Sequence, residues 1–229
     1  MTEEDVGNYG AGVLGSWSGL GHSISPVDIL QTVHDSGGIL ALGDSILYAT
    51  VTDLATRANN HGTNFAVNAW SGRPTTPAVD WLQSNVVNAN LMPGTLLMCT
   101  GTNDVFDPSV FDPAAVGQVD QLERVMALVG PDLPVWWVTV YVGRFDATAA
   151  VREAQVRNSG WINGQLHEAA SRHPNLHIID WYRFLAQGVT NGSPPQDWRI
   201  RSGLVDGVHT TAWGSDARND LIEAAIWPA

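Results

Sequence analysis

Five short runs of this chain are apolar at consecutive positions rather than at every second one: Gly38–Leu42, Asn64–Asn68, Thr95–Thr100, Val135–Val140 and Leu176–Asp180. A strand that is apolar on both sides must be covered on both sides. Longer helix-like segments separate these runs: Ile46–Asn60, Pro77–Asn90, Ala114–Val129 and Val151–Arg172, with Ala212–Ile226 near the end of the chain. Strands and helices in alternation predict a parallel sheet inside an α/β/α sandwich. Ligands of such sheets bind beyond the carboxyl ends of the strands. Residues 1–37, with frequent Gly and Ser between Gly7 and Ser25, are expected to form a loop-like N-terminal arm. Residues 38–229 are expected to form one domain, since neither a repeat nor a linker interrupts them.

Composition removes several classes of function. All 11 basic residues of the 229 are arginine, and the net charge is −12. Without lysine, Schiff-base chemistry and a phosphate-binding P-loop lysine are excluded. The acidic balance argues against nucleic acid and against an anionic membrane surface, both of which attract basic faces. No run approaches the ~20 apolar residues that a membrane helix needs. The start, Met1-Thr2-Glu3-Glu4-Asp5, lacks the basic and apolar regions of a signal peptide. The expectation is therefore a cytoplasmic protein as synthesised, reaching the outside only by lysis or by assembly into a larger particle. The single cysteine, Cys99, lies in an apolar run, where a buried thiol is expected rather than a nucleophile.

Four polar segments stand where they can meet. Gly43-Asp44-Ser45, Trp70-Ser71-Gly72-Arg73 and Gly101-Thr102-Asn103-Asp104 each follow an expected strand. Asp206-Gly207-Val208-His209 precedes the last helix. Parallel strands put the first three on one sheet edge, and the fourth joins them if the chain folds back. Together they fit acyl transfer. A serine hydroxyl needs a base, and an imidazole such as His209 supplies one. Asp206, three residues before His209, can hold the ring on a tight turn. The oxyanion then needs donors, and the Ser45 N–H, the Gly72 N–H and the Asn103 side-chain amide are candidates. Ser45 could instead cap the helix that follows it. Asp44 is expected to support the loop through local hydrogen bonds. Arg73 is expected either to hold a loop carboxylate or, with Trp70, to contact substrate.

These blocks resemble the SGNH/GDSL hydrolase superfamily, named for Ser, Gly, Asn and His in separate motifs that occur here in the same order over about residues 38–226. Within it, the chain most resembles the SGNH domains of bacterial peptidoglycan O-acetyltransferases and related esterases. That closer likeness rests on Gly72-Arg73, on Trp161-Ile162-Asn163 at an expected helix entry, on Ile179-Asp180-Trp181 and on Asp206-Gly207-Val208-His209. The resemblance implies a three-layer fold with a five-stranded parallel sheet, no metal and no cofactor. It also implies a serine esterase acting on a short-acyl ester, such as an acetylated glycan. The alternatives are an O-acyltransferase with the same triad, or a non-catalytic carbohydrate-binding or phage structural module on the same fold.

Other features draw ordinary expectations. His173 and His177, with Pro174 between them, cannot share a helix face and are expected on the surface. Asp104, Asp107 and Asp112 are expected in a solvated loop. Trp136, Trp137 and Trp213 are expected in the core. Trp70, Trp81, Trp161, Trp181 and Trp198 fall near loops or helix ends, where some could stack on sugar rings. The segment Gln187–Ser202 is expected to rim the site.

Overall fold

The computed structural model describes residues 19–115, 119–187 and 198–228. The five parallel strands lie within two residues of their expected positions: β2 (Ile39–Gly43), β3 (Phe65–Trp70), β4 (Thr95–Cys99), β5 (Val135–Val138) and β6 (Leu176–Ile179). A sixth strand, β1 (His22–Ile24), adds antiparallel to β3 and pairs His22 with Trp70. The sheet order is β1-β3-β2-β4-β5-β6.

The loop-like reading is corrected here, because residues 22–36 are a strand and a helix, α1 (Val27–Ser36). Their signal is weak in sequence. β1 has three residues, and α1 buries only Leu30 and Val33 before Gly37 ends it in a left-handed conformation.

The continuous apolar runs have the expected cause. In β2, Leu40 and Leu42 enter a core with α1, α3 (Thr75–Leu82), α4 (Gln121–Val129) and α5 (Ala149–Arg172). Ile39 and Ala41 enter the opposite core with α2 (Ser45–Asn60), α6 (Trp181–Ala186), α7 (Trp198–Gly203) and α8 (Ala212–Ile226). Each fully buried Leu or Ile contributes about 1.5–3 kcal/mol, so both layers are needed to hold the sheet.

Some boundaries moved. α3 starts at Thr75 and passes into a π turn, Gln83–Val87. α4 starts at Gln121, where the Asp120 side chain accepts from the Leu122 N–H at 2.9 Å. Trp161-Ile162-Asn163 lies inside α5 rather than at a helix entry. There Asn163 is buried and bonds both backbone groups of Val140. Cys99 is buried as expected. Among the described residues, no helix is long and apolar enough to cross a membrane.

Candidate active site

Ser45 is the first residue of α2, directly beyond the carboxyl end of β2. The capping role open to it belongs to Asp44, whose carboxylate accepts from the Ile46 N–H at 3.0 Å. The Ser45 hydroxyl is thereby left for His209, with Oγ 3.1 Å from Nε2. His209 Nδ1 lies 2.8 Å from Asp206 Oδ2. A proton on Nδ1, as this contact to a carboxylate requires, leaves the Nε2 lone pair facing Ser45.

The Asp206–His209 turn is fixed from both sides. Asp206 Oδ1 accepts from the N–H groups of Val208 (2.9 Å) and His209 (2.8 Å). Its backbone oxygen accepts from Phe145, and that of Gly207 accepts from Gly143, both at 2.9 Å. Gly207 has φ of +91°, and a Cβ there would lie 2.2 Å from the Gly143 oxygen, so only glycine lets the turn seat against this loop. Burial alone would raise the pKa of Asp206, but hydrogen bonds from the His209 ring and from its N–H outweigh it and hold the carboxyl below its usual range.

The oxyanion candidates are tied together through one residue. Asn103 donates an amide hydrogen to the Arg73 backbone oxygen at 3.2 Å, leaving its second amide hydrogen for a ligand. Gly72, with φ of +74°, is the third residue of a turn closed by Arg73 N–H to the Trp70 oxygen, a position that needs positive φ in a type II turn. Among the described residues, neither the Ser45 nor the Gly72 N–H has an internal backbone acceptor.

The Arg73 side chain is not where the sequence reading put it. It is 1% exposed, beneath the site rather than in it. Its guanidinium donates to the Gly43 oxygen at 2.9 Å, to the Asn68 backbone oxygen at 2.6 Å and to the Asn68 side-chain oxygen. Arg73 is therefore no substrate contact. Burial pulls its pKa down to about 10, against the attraction of Asp44, so it remains a cation at neutral pH. Burial in turn pushes Asp44 up, opposed by the Ile46 N–H, Thr102 and Arg218. Asn68, the buried partner of Arg73, has no role in the sequence analysis, although an Asn inside an apolar strand is itself a signal.

Asp104 also departs from expectation, since it is buried rather than solvated. Its carboxyl accepts from the Thr75 N–H at 3.0 Å and from the Thr75 hydroxyl at 2.7 Å, joining the Asn103 loop to the start of α3. Burial raises its pKa to about 7; the Thr75 hydrogen bonds oppose this, and Asp44 and Asp107 add to it. A carboxyl raised above its unfolded value binds its proton more tightly in the folded state. Its stabilisation is therefore present below about pH 4 and is lost as pH rises through about 7. The ceiling is roughly 4 kcal/mol. Asp104→Asn keeps an acceptor for the Thr75 N–H and removes the titration. Urea denaturation at pH 5 and pH 8 should show wild type losing stability relative to Asp104→Asn across this range. The lowered carboxyls, such as Asp206, act oppositely and on the acid side in both proteins. Equal pH slopes would refute this role.

Trp70, half-buried at the end of β3, is stacked by His22 at 4.1 Å between ring centres. His173 pairs with Glu123 at 2.9 Å, and His177 lies against Trp136. Among the described residues, no group of three His, Cys, Asp or Glu side chains is placed to hold a metal ion. Most of the expected rim, residues 188–197, lies outside the described residues.

A central sheet of five parallel strands and one antiparallel edge strand between two helical layers is the SGNH/GDSL hydrolase fold, and solved structures with that fold match this one. A GDSL-like lipase from Bacteroides thetaiotaomicron superposes with a TM-score of 0.63 at 18% identity, over 86% of this chain and 90% of its own. The catalytic domain of a peptidoglycan O-acetyltransferase from Streptococcus pneumoniae, carrying a methylsulfonyl adduct, gives 0.62 at 20% identity, over 82% and 92%. An acetyl xylan esterase gives 0.57 at 18% identity, over 82% and 99%. By sequence, no family model and no curated protein matches the chain.

Proposed function

We propose that this protein is a serine esterase that removes short acyl groups, with O-acetyl groups on a polysaccharide or on peptidoglycan as its substrate class. The observation that carries the reading is the Ser45–His209–Asp206 relay, with contacts of 3.1 and 2.8 Å. The similar structures named above support the acetyl and glycan part of it. Ser45 Oγ attacks the ester carbonyl carbon as its proton passes to His209 Nε2. The resulting oxyanion takes hydrogen bonds from the Ser45 and Gly72 N–H groups and the free amide hydrogen of Asn103. Collapse breaks the bond to the alcohol oxygen, which leaves with the proton from His209. Water then attacks the acyl-Ser45 carbonyl carbon, giving a proton to His209; collapse breaks the Ser45 Oγ–acyl bond, Oγ takes that proton back, and the carboxylic acid departs. Trp70, two residues before Gly72, is assigned to the substrate side of this hole.

A second reading, in which a glycan hydroxyl replaces water, is favoured by the likeness to the O-acetyltransferase domain. Both begin with the same acyl-enzyme. The test is hydrolysis of p-nitrophenyl acetate against p-nitrophenyl octanoate, with and without a glycan acceptor. Turnover of acetate in preference to octanoate, unaccelerated by the acceptor, is expected. Turnover of neither ester would overturn the esterase reading, and acetylated acceptor as main product would establish the transferase.

A further inference from the structure

We propose that Trp198 and Trp213 form a sugar-stacking subsite beside the catalytic turn, which takes a pyranose ring of the acylated glycan; this rests on the esterase reading above. Trp213 was expected in the core, yet it is 40% exposed, and Trp198 is 44% exposed. Their ring centres are 5.8 Å apart. They are not loose side chains. Trp213 packs on Phe184 at 6.1 Å, and Phe184 stacks on the buried Trp181 at 5.5 Å. The Arg199 guanidinium lies 4.7 Å from the Phe184 ring centre and 5.4 Å from that of Trp198, and donates to the Phe184 oxygen at 3.0 Å.

The pair is also fixed relative to His209. A Cβ on Gly203 would lie 3.3 Å from the Trp213 indole. The next residue, Leu204, bridges to Thr210 and closes the loop that holds Asp206 and His209, with Val205 N–H donating to the His209 oxygen at 2.8 Å. The indoles thus stand on the two helices, α7 and α8, that bracket the catalytic turn.

Chemistry and area select the ligand. The indole N–H groups of Trp137 and Trp227 are satisfied internally, by the Thr100 oxygen and the Thr63 hydroxyl. Those of Trp198 and Trp213 have no acceptor among the described residues, so each offers an apolar ring and a donor to solvent. A pyranose presents the complement, a C–H face rimmed by hydroxyls. Two Trp side chains exposed to this degree offer roughly 200 Å², on the scale of 150–250 Å² per large aromatic. That suits one sugar ring and falls well short of the roughly 800 Å² that a protein partner covers on each side.

The test compares a polymer with a small ester. kcat/KM is measured on acetylated xylan, on O-acetylated peptidoglycan and on p-nitrophenyl acetate, for wild type, Trp198→Ala and Trp213→Phe. For at least one polymer, the polymer-to-small-ester ratio should fall about tenfold in Trp198→Ala, through KM rather than kcat, and less in Trp213→Phe. An unchanged ratio, or a wild type that hydrolyses p-nitrophenyl acetate but neither polymer, overturns the subsite and leaves the esterase standing. An equal fall on all three substrates shows a structural role and also overturns it. A wild type inactive on p-nitrophenyl acetate removes the esterase reading itself.

Discussion

Ser45→Ala will lower p-nitrophenyl acetate hydrolysis by about 10,000-fold or more, because it removes the atom proposed to form the acyl-enzyme. His209→Ala should cost nearly as much, since without a base at 3.1 Å the hydroxyl keeps its proton. The two groups act as one unit, so the double variant should be scarcely worse than either single one. Asp206 is expected to matter less. The side chains of His209 and Asp206 are 47% and 50% exposed, so water already shares the work of stabilising the imidazolium. Asp206→Ala should therefore lose roughly 100-fold to 1,000-fold rather than the full factor. Initial rates of nitrophenolate release, corrected for the uncatalysed reaction, decide the matter. A Ser45→Ala protein that keeps more than a hundredth of the wild-type rate would remove Ser45 as nucleophile.

The parts of this molecule that were legible in its sequence are those with a local cause. β2 to β6 showed themselves because a two-faced burial makes each run apolar at every position. Gly43-Asp44-Ser45 and Asp206-x-x-His209 showed themselves as polar turns, one after an apolar run and one before the last helix, and the fold brings Ser45 and His209 to 3.1 Å. What escaped depends on distant partners. Nothing in His22-Ser23-Ile24 reveals a strand; it becomes one because β3 offers an unpaired edge. Asp104 looks like one of several loop acids, and only Thr75, 29 residues earlier, makes it a buried latch. Trp213 opens a helix with an apolar residue, which reads as core, yet its ring lies over Gly203 and faces outward. Arg73, expected to hold a loop carboxylate or contact substrate, is instead buried by acceptors on β2 and β3 that the sequence does not align.

Arg73 is where the second large effect is expected. Its guanidinium holds the Gly43 oxygen, two residues before Ser45, while its own backbone oxygen holds the Asn103 amide. One residue thus sets the Ser45 block against the Gly72 and Asn103 groups proposed as oxyanion donors. Arg73→Met leaves the Gly43 and Asn68 acceptors unpaired in the interior, at about 1–3 kcal/mol each. Relief from burying a cation recovers part of this, of the order of 3 kcal/mol given a pKa lowered from 12.5 to about 10. The net loss of stability should be about 3 kcal/mol, measurable by urea denaturation. Activity should fall further than stability explains. At a temperature where the variant is fully folded, kcat on p-nitrophenyl acetate should drop about 100-fold with KM little changed, because misplaced donors weaken the transition state more than the bound ester. Arg73→Lys keeps the charge but cannot span Gly43 and Asn68 together, so it should recover stability better than kcat. A folded Arg73→Met protein with kcat within twofold of wild type would make Arg73 a packing residue and leave the Asn103 loop to Asp104 and Thr75.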